Sequence, residues 1–150
     1  MRTVLQRVTK ASVIIDGHPY SAIGKGLLIL AGFEGDDTVK DIEWMGDKIC
    51  QMRIFGDENG KMNLSVMDIG GEVLVVSQFT LHASIKKGNR PSFIKAARPE
   101  QAIPFYELFI HHLNQRLGKR LKTGVFGADM KIELTNDGPV TVVVDSKQPE

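Results

Sequence analysis

Cysteine is almost missing from this chain of 150 residues; Cys50 is the only one. A single thiol closes no intramolecular disulfide and builds no thiolate metal cluster, so a disulfide scaffold is excluded and a reducing compartment is implied. Long apolar runs are missing too. The longest, Leu27 to Ala31, falls far short of the roughly 20 residues of a membrane span. Met1-Arg2-Thr3-Val4-Leu5-Gln6-Arg7 holds no apolar block of signal-peptide length. These absences predict a cytoplasmic protein with no membrane partner. An excess of one charge is also lacking: 19 Lys and Arg face 18 Asp and Glu, for a net +1. A uniformly basic protein is thereby excluded.

What remains is an ordinary globular composition, 42% hydrophobic and 25% charged. A chain of this length buries roughly 70% of its unfolded surface, enough for a core without metals or disulfides. No linker, repeat or low-complexity block divides it, which predicts one domain over residues 1–150. Arg2 to Thr9 and Ala11 to Asp16 alternate apolar and polar residues as strands do, and Asp16-Gly17 supplies a hairpin turn. Tyr20 to Ile23 reads as a return strand, and Gly26 to Gly32 as a buried strand between glycines. After the acidic loop Glu34 to Asp37, Thr38 starts a helix reaching about Arg53, with Val39, Ile42, Met45, Ile49 and Met52 on its apolar stripe. Trp44 and Cys50 lie on or beside that stripe as packing residues.

Downstream, Met62 to Val66 suits a short strand and Glu72 to Gln78 a central one. A second helix is expected from about Ile103 to Leu117, with Pro104 in its first turn, Ile103 on its apolar face and Gly118 as its stop. Asp129 to Thr135 and Val140 to Asp145 read as strands around Asn136-Asp137-Gly138-Pro139. The sum is an α+β fold, a largely antiparallel sheet or open β-barrel with two main helices.

Familiar catalytic signatures are not there: no Walker loop, no dinucleotide glycine fingerprint, no nucleophile elbow. His111 and His112 point about 100° apart on a helix and cannot share a metal. No metal or cofactor is expected. Two segments carry polar groups where a site can form. In Ser77-Gln78-Phe79-Thr80-Leu81 a buried strand gives way to hydroxyls and an amide. Backbone N–H groups freed there suit an oxyanion, although Ser77 and Thr80 equally suit capping of local backbone groups. Asn136-Asp137-Gly138-Pro139 has the residues of a plain turn. From sequence alone its X-Pro bond reads as trans, since only about 5–6% of such bonds in folded proteins are cis.

Five pieces taken in order carry a resemblance over nearly the whole chain: Gln6-Arg7-Val8, Ser77-Gln78-Phe79-Thr80-Leu81, Arg90-Pro91-Ser92-Phe93, Phe126-Gly127-Ala128-Asp129-Met130 and Asn136-Asp137-Gly138-Pro139-Val140-Thr141. Together they resemble the D-aminoacyl-tRNA deacylase family. The resemblance implies a homodimer with active sites at its interface, acting on aminoacyl-tRNA and not on DNA. It implies a cis Gly138-Pro139 element that excludes L-residues from the partner's pocket, held in place by Arg7. Thr80 and the backbone near Phe79 would serve the reaction, and Phe126 and Met130 would line the pocket for the terminal adenosine beside Ser77 and Gln78. Thr80 is either a nucleophile or a positioning group, and no activating base is visible for the first role. Mischarged Gly-tRNA is an expected second substrate, because glycine offers no side chain to exclude. A noncatalytic RNA-binding module and a generic esterase are the competing readings.

The near-zero net charge takes on another meaning in this light. Leu81 to Val125 holds nine basic and two acidic residues, a balance of +7, which leaves −6 for the rest. Such asymmetry lets a compact enzyme guide an RNA end without being basic overall.

Overall fold

The computed structural model describes residues 1–150. Strand β1 runs unbroken through Arg2–Ile15, followed by β2 (His18–Ile23) and β3 (Gly26–Gly32). Helix α1 (Val39–Gln51) leads to the small hairpin of β4 (Phe55–Gly56) and β5 (Met62–Leu64). Strand β6 (Glu72–Ser77) passes into a single 3-10 turn, Phe79–His82. Helix α2 (Pro99–Leu117), β7 (Lys122–Thr123) and β8 (Met130–Asp145) complete the chain.

One edge of β1 pairs with β8 along its whole length. The other edge is shared, Arg2 to Val8 with β3 and Ala11 to Ile15 with β2. Strands β3, β6 and β7 continue the sheet in parallel. The sheet curls until its two ends nearly meet, and the Ser21 hydroxyl on β2 donates to the Thr123 carbonyl on β7 at 2.7 Å. The fold is therefore α+β, with two helices and a mixed, nearly closed sheet whose antiparallel pairings outnumber the parallel ones.

The apolar run of β3 is explained by burial on both faces. Leu27 and Ile29 of β3, with Val73 and Val75 of β6, meet Ile42, Met45 and Ile49 of α1 and Phe109 and Leu113 of α2. Leu28, Leu74 and Val76 point the other way and fill the inside of the curl with Val8, Val13 and Ile23. Cys50 is part of the helical core, where burial pushes its thiol up to about 11 and keeps it protonated and inert. Thr38 caps α1 through a reciprocal box: its hydroxyl receives the Asp41 N–H, and its own N–H donates to the Asp41 carboxylate at 2.9 Å.

Several local expectations are corrected. Helix α2 begins at Pro99, so Pro104 lies in its interior rather than its first turn. The hydrogen bond lost there belongs to the carbonyl of Glu100, and both residues are exposed, so water replaces the missing donor. Ile103 is 39% exposed, off the buried face of Ala102, Tyr106, Phe109 and Leu113. Helix α1 stops at Gln51 because Met52 turns extended (ψ 122°), and Val39 at its start is half exposed. The expected strand from Met62 ends at Leu64.

The largest correction concerns the carboxyl-terminal pair of strands. Asn136 to Pro139 does not connect a hairpin. Both flanking segments pair with the same edge of β1, so they form one strand, β8. Between Gln6 and Val8 on β1, β8 advances from Thr141 to Asn136. Five steps on one strand oppose two on the other, and the excess is extruded as a loop.

Candidate active site

The parallel strands β3 and β6 end together, Ala31 beside Ser77. The Gln78 N–H still donates to the Ala31 carbonyl at 2.7 Å, and the chain then turns through Phe79–His82. Beyond these strand ends opens a cavity of about 600 Å³. Ser77, Gln78 and Phe79 form one wall, and Phe126 and Met130 belong to the segment opposite in sequence, all five lining the same space. Thr80 is exposed beside it and receives a hydrogen bond from the Gln78 side-chain amide. Six of the residues singled out from sequence are thus gathered at one place.

The chemistry of that rim is specific. An amide cannot accept the proton of the Thr80 hydroxyl, so Gln78 orients Thr80 without activating it. His82, in the same turn, is buried and faces Glu34, with Nδ1 at 3.3 Å from a carboxylate oxygen. That approach lacks hydrogen-bond geometry, and neither ring nitrogen has a partner. The N–H groups of Phe79 and Thr80 precede the first closed turn, in which the Leu81 N–H returns to the Gln78 carbonyl at 3.3 Å. Such leading N–H groups are unused by their own helix and suit a developing oxyanion.

The wall also contains residues that sequence reading left without a role. Phe93 stands edge-on to Phe79 with ring centroids 5.1 Å apart, and Gly32 and Ala97 line the same cavity. Tyr106 is not itself a lining residue but supports one: its hydroxyl donates to the Val75 carbonyl at 3.2 Å and its ring lies 5.7 Å from Phe126. Burial, reinforced by Tyr20, pushes the Tyr106 phenol up to about 12, so it is a fixed buttress rather than an acid. Phe93 sits in one of the quoted motifs, which is the signal that pointed to it; Tyr106 gave none beyond helical periodicity.

Gly138, Pro139 and Arg7 form a second group, outside the lining of this cavity. The Gly138-Pro139 bond is cis, and both residues are exposed at the tip of the extruded loop. The neck of the loop is closed by Asn136, whose side-chain oxygen accepts the Val140 N–H at 2.8 Å. Arg7 fixes one flank: Nε donates to the Asp137 carbonyl at 2.9 Å and Nη1 to the Ile54 carbonyl at 2.7 Å. Its side chain is only 14% exposed. Arg7→Ala removes the donor from two carbonyls and is expected to cost about 1–3 kcal/mol, lowering Tm by roughly 2–12 °C. Arg7→Lys should recover only part of this, because one ammonium cannot imitate the guanidinium fork. Thermal melts of the two variants, compared with the native protein, check it.

The acidic loop is a separate feature. Glu34, Asp36 and Asp37 bring carboxylate oxygens within 4.8 Å of one another. Lys147 stands among them, at 3.7 Å from Glu34 and 3.6 Å from Asp37, and pairs directly with Asp36.

Residues 4–145 match the family described as D-Tyr-tRNA(Tyr) deacylase. The chain belongs to this family. Proteins named D-aminoacyl-tRNA deacylase from Parabacteroides distasonis and Flavobacterium johnsoniae are 62% and 59% identical to it, over the full length of both chains in each case. Among solved structures, a protein titled c-Myc DNA unwinding element binding protein is 46% identical, with a TM-score of 0.91 over 97% of this chain and 98% of that one. A probable eukaryotic D-amino acid tRNA deacylase shares the fold at 17% identity, with a TM-score of 0.83 over 95% of this chain and 97% of that one. The matched residues run from within β1 to the end of β8 and take in the cavity and the extruded loop. No helix is long and apolar enough to cross a membrane.

Proposed function

We propose that this protein, as a single deacylase domain over residues 1–150, hydrolyses the ester of D-aminoacyl-tRNA and releases free D-amino acid and tRNA. Family membership over residues 4–145 is the observation that carries the reading. The cavity supports it chemically, since it joins apolar walls to a rim of backbone N–H groups. Water attacks the ester carbonyl carbon, and the oxyanion that develops is met by the N–H groups of Phe79 and Thr80. The bond to the ribose oxygen breaks, and the proton from the attacking water ends on that oxygen. The neighbouring ribose hydroxyl assists the water, so the protein's share is positioning, without metal or cofactor.

The Gly138-Pro139 loop supplies chirality in this reading. It is exposed, outside its own subunit's cavity and held by Arg7 and Asn136, which suits an element inserted into the cavity of a second copy in a homodimer. Main-chain carbonyls there receive the substrate's α-ammonium group. With ammonium, Cα and ester fixed, a D side chain points outward while an L side chain meets main chain. Glycine has nothing to exclude, so Gly-tRNA is cleaved as well. RNA rather than DNA is the nucleic-acid partner, and the cytoplasm is the compartment where the substrate is made. Phe126 and Met130 receive the terminal adenosine.

The test compares D-Tyr-tRNA, L-Tyr-tRNA and Gly-tRNA with the purified protein in the presence of a chelator. Rapid hydrolysis of the D and glycyl esters is expected; equal cleavage of the L ester would reject the assignment. Thr80→Ala is expected to retain activity within about tenfold, the loss proper to one orienting hydrogen bond of about 0.5–1.5 kcal/mol. A fall of several orders of magnitude would establish Thr80 as a nucleophile instead.

A further inference from the structure

From Val73 to Pro99 the chain contains no carboxylate and five Lys or Arg residues. Three of them, Lys86, Lys87 and Arg90, fall within five positions and are all exposed. They occupy a finger whose base is clasped by reciprocal backbone bonds: Ser84 N–H to the Ser92 carbonyl at 2.8 Å, and Ser92 N–H to the Ser84 carbonyl at 2.9 Å. Three or four residues per arm let the tip stand up to roughly 10 Å beyond that clasp. The residue after the clasp is Phe93, whose ring meets Phe79 at 75° on the cavity wall. Phe79 is 57% exposed and Phe93 36%. A cationic tip and an aromatic lip are therefore one continuous piece of chain at the mouth of the cavity.

Of the other six basic residues of the +7 span, Arg98, Arg120 and Lys122 are exposed and unpaired but stand outside the finger, and the remaining three have other surroundings. Arg116 is paired with Asp47 at 2.9 Å, and Lys119 donates to the Gly70 carbonyl at 3.1 Å. Lys95 lines a separate polar cleft with Glu34, Asp36 and Asp145. Lys86, Lys87 and Arg90 make no ion pair with any side chain of the protein, and no acidic residue within the finger competes for them. Cations that track a phosphate backbone, next to exposed aromatic faces on which bases stack, are the combination that holds single-stranded nucleic acid.

We propose that the Ser84–Ser92 finger binds the phosphates of the single-stranded RNA end just upstream of the esterified nucleotide, while Phe79 and Phe93 offer a stacking face for the bases that enter the cavity. The inference deepens the deacylase reading and rests on it for the identity of the RNA. It also assigns the work of RNA capture to three side chains rather than to the positive span as a whole.

The triple variant Lys86→Ser, Lys87→Ser, Arg90→Ser tests it, against a control in which the scattered Lys10, Lys25 and Lys61 are changed to Ser. For D-Tyr-tRNA the finger variant should raise KM tenfold or more. The slope of log KM against log salt should fall by about two, at roughly 0.7 per phosphate contact on a single strand. The control triple should change neither. D-tyrosyl adenosine ester, which lacks phosphate, should be cleaved by the native and finger-variant proteins with the same KM. An unaltered salt slope in the finger variant, or an equal KM defect on the phosphate-free ester, would overturn the proposal. Filter binding of an unacylated RNA hairpin with a single-stranded 3′ end separates the two readings. If the native protein hydrolyses nothing yet binds that RNA through the finger, the deacylase function fails and the finger stands. If binding is indifferent to the finger, the finger fails whatever the protein hydrolyses.

Discussion

Gly138→Ala is expected to lower kcat/KM for D-aminoacyl-tRNA by about a hundredfold while the fold survives. Gly138 has φ +139°, a region that L side chains rarely adopt. A Cβ there would lie 2.8 Å from Cγ2 and 3.0 Å from the backbone nitrogen of Val140, and 3.1 Å from Arg7 Nη2. Val140 is buried and its N–H is held by Asn136, so it cannot yield. The loop must move instead, and a displacement near 1 Å at a positioning element costs about two orders of magnitude in rate. The backbone strain itself is about 1–3 kcal/mol, which a whole domain tolerates. Circular dichroism melts and kcat/KM on the same preparation check both halves. Retention of more than half the native activity would remove the loop from the chemistry.

A comparable loss is expected from Gly32→Ala, reached through the other half of the site. The added Cβ would sit 2.7 Å from the Gln78 carbonyl oxygen and 3.2 Å from both Leu81 Cβ and His82 Cδ2. The first of these is backbone, and Gln78 is tied to Ala31 by its own N–H. Relief therefore comes by shifting the Phe79–His82 turn, which carries the proposed oxyanion donors. Overpacking of this kind costs about 1–3 kcal/mol of stability, with a further hundredfold expected in rate. Because Gly32 and Gly138 disable different parts, the two variants together examine the dimer. If the loop of one subunit completes the cavity of the other, mixed and reassociated subunits regain about one quarter of native activity, since half of the random dimers carry one intact site. No recovery on mixing would place loop and cavity in the same subunit.

Much of the candidate site was legible because strand ends and motifs are local. Ser77, Gln78 and Phe79 were expected where a buried strand meets polar groups, and the structure puts them on the wall of the cavity. Phe126 and Met130 were reached only through the family resemblance, since nothing in their own segment distinguishes pocket lining from core packing. Gly32 was invisible as a site residue. It reads as the end of an apolar strand, and the loss expected on its substitution arises from a carbonyl 46 positions away that approaches too closely for any side chain. Pro104 misled for a different reason. A proline is read as a helix start, but the actual start is set by Pro99, and solvent at Glu100 makes the interior proline tolerable.

Composition, apolar periodicity and the ordered motifs determined the α+β class, both helices, the buried central strands and the family. Each of these depends on neighbours within a few residues, or on patterns that a linear reading retains. Tertiary structure alone decided that Asn136 to Pro139 is an extrusion from one long strand and not a turn between two. Nothing within that segment records that both of its flanks pair with a single edge of β1. For the lone cysteine, scarcity argued a compartment from sequence. Helical periodicity already marked Cys50 as a packing residue, and only its burial between two helices and the sheet raised its thiol pKa.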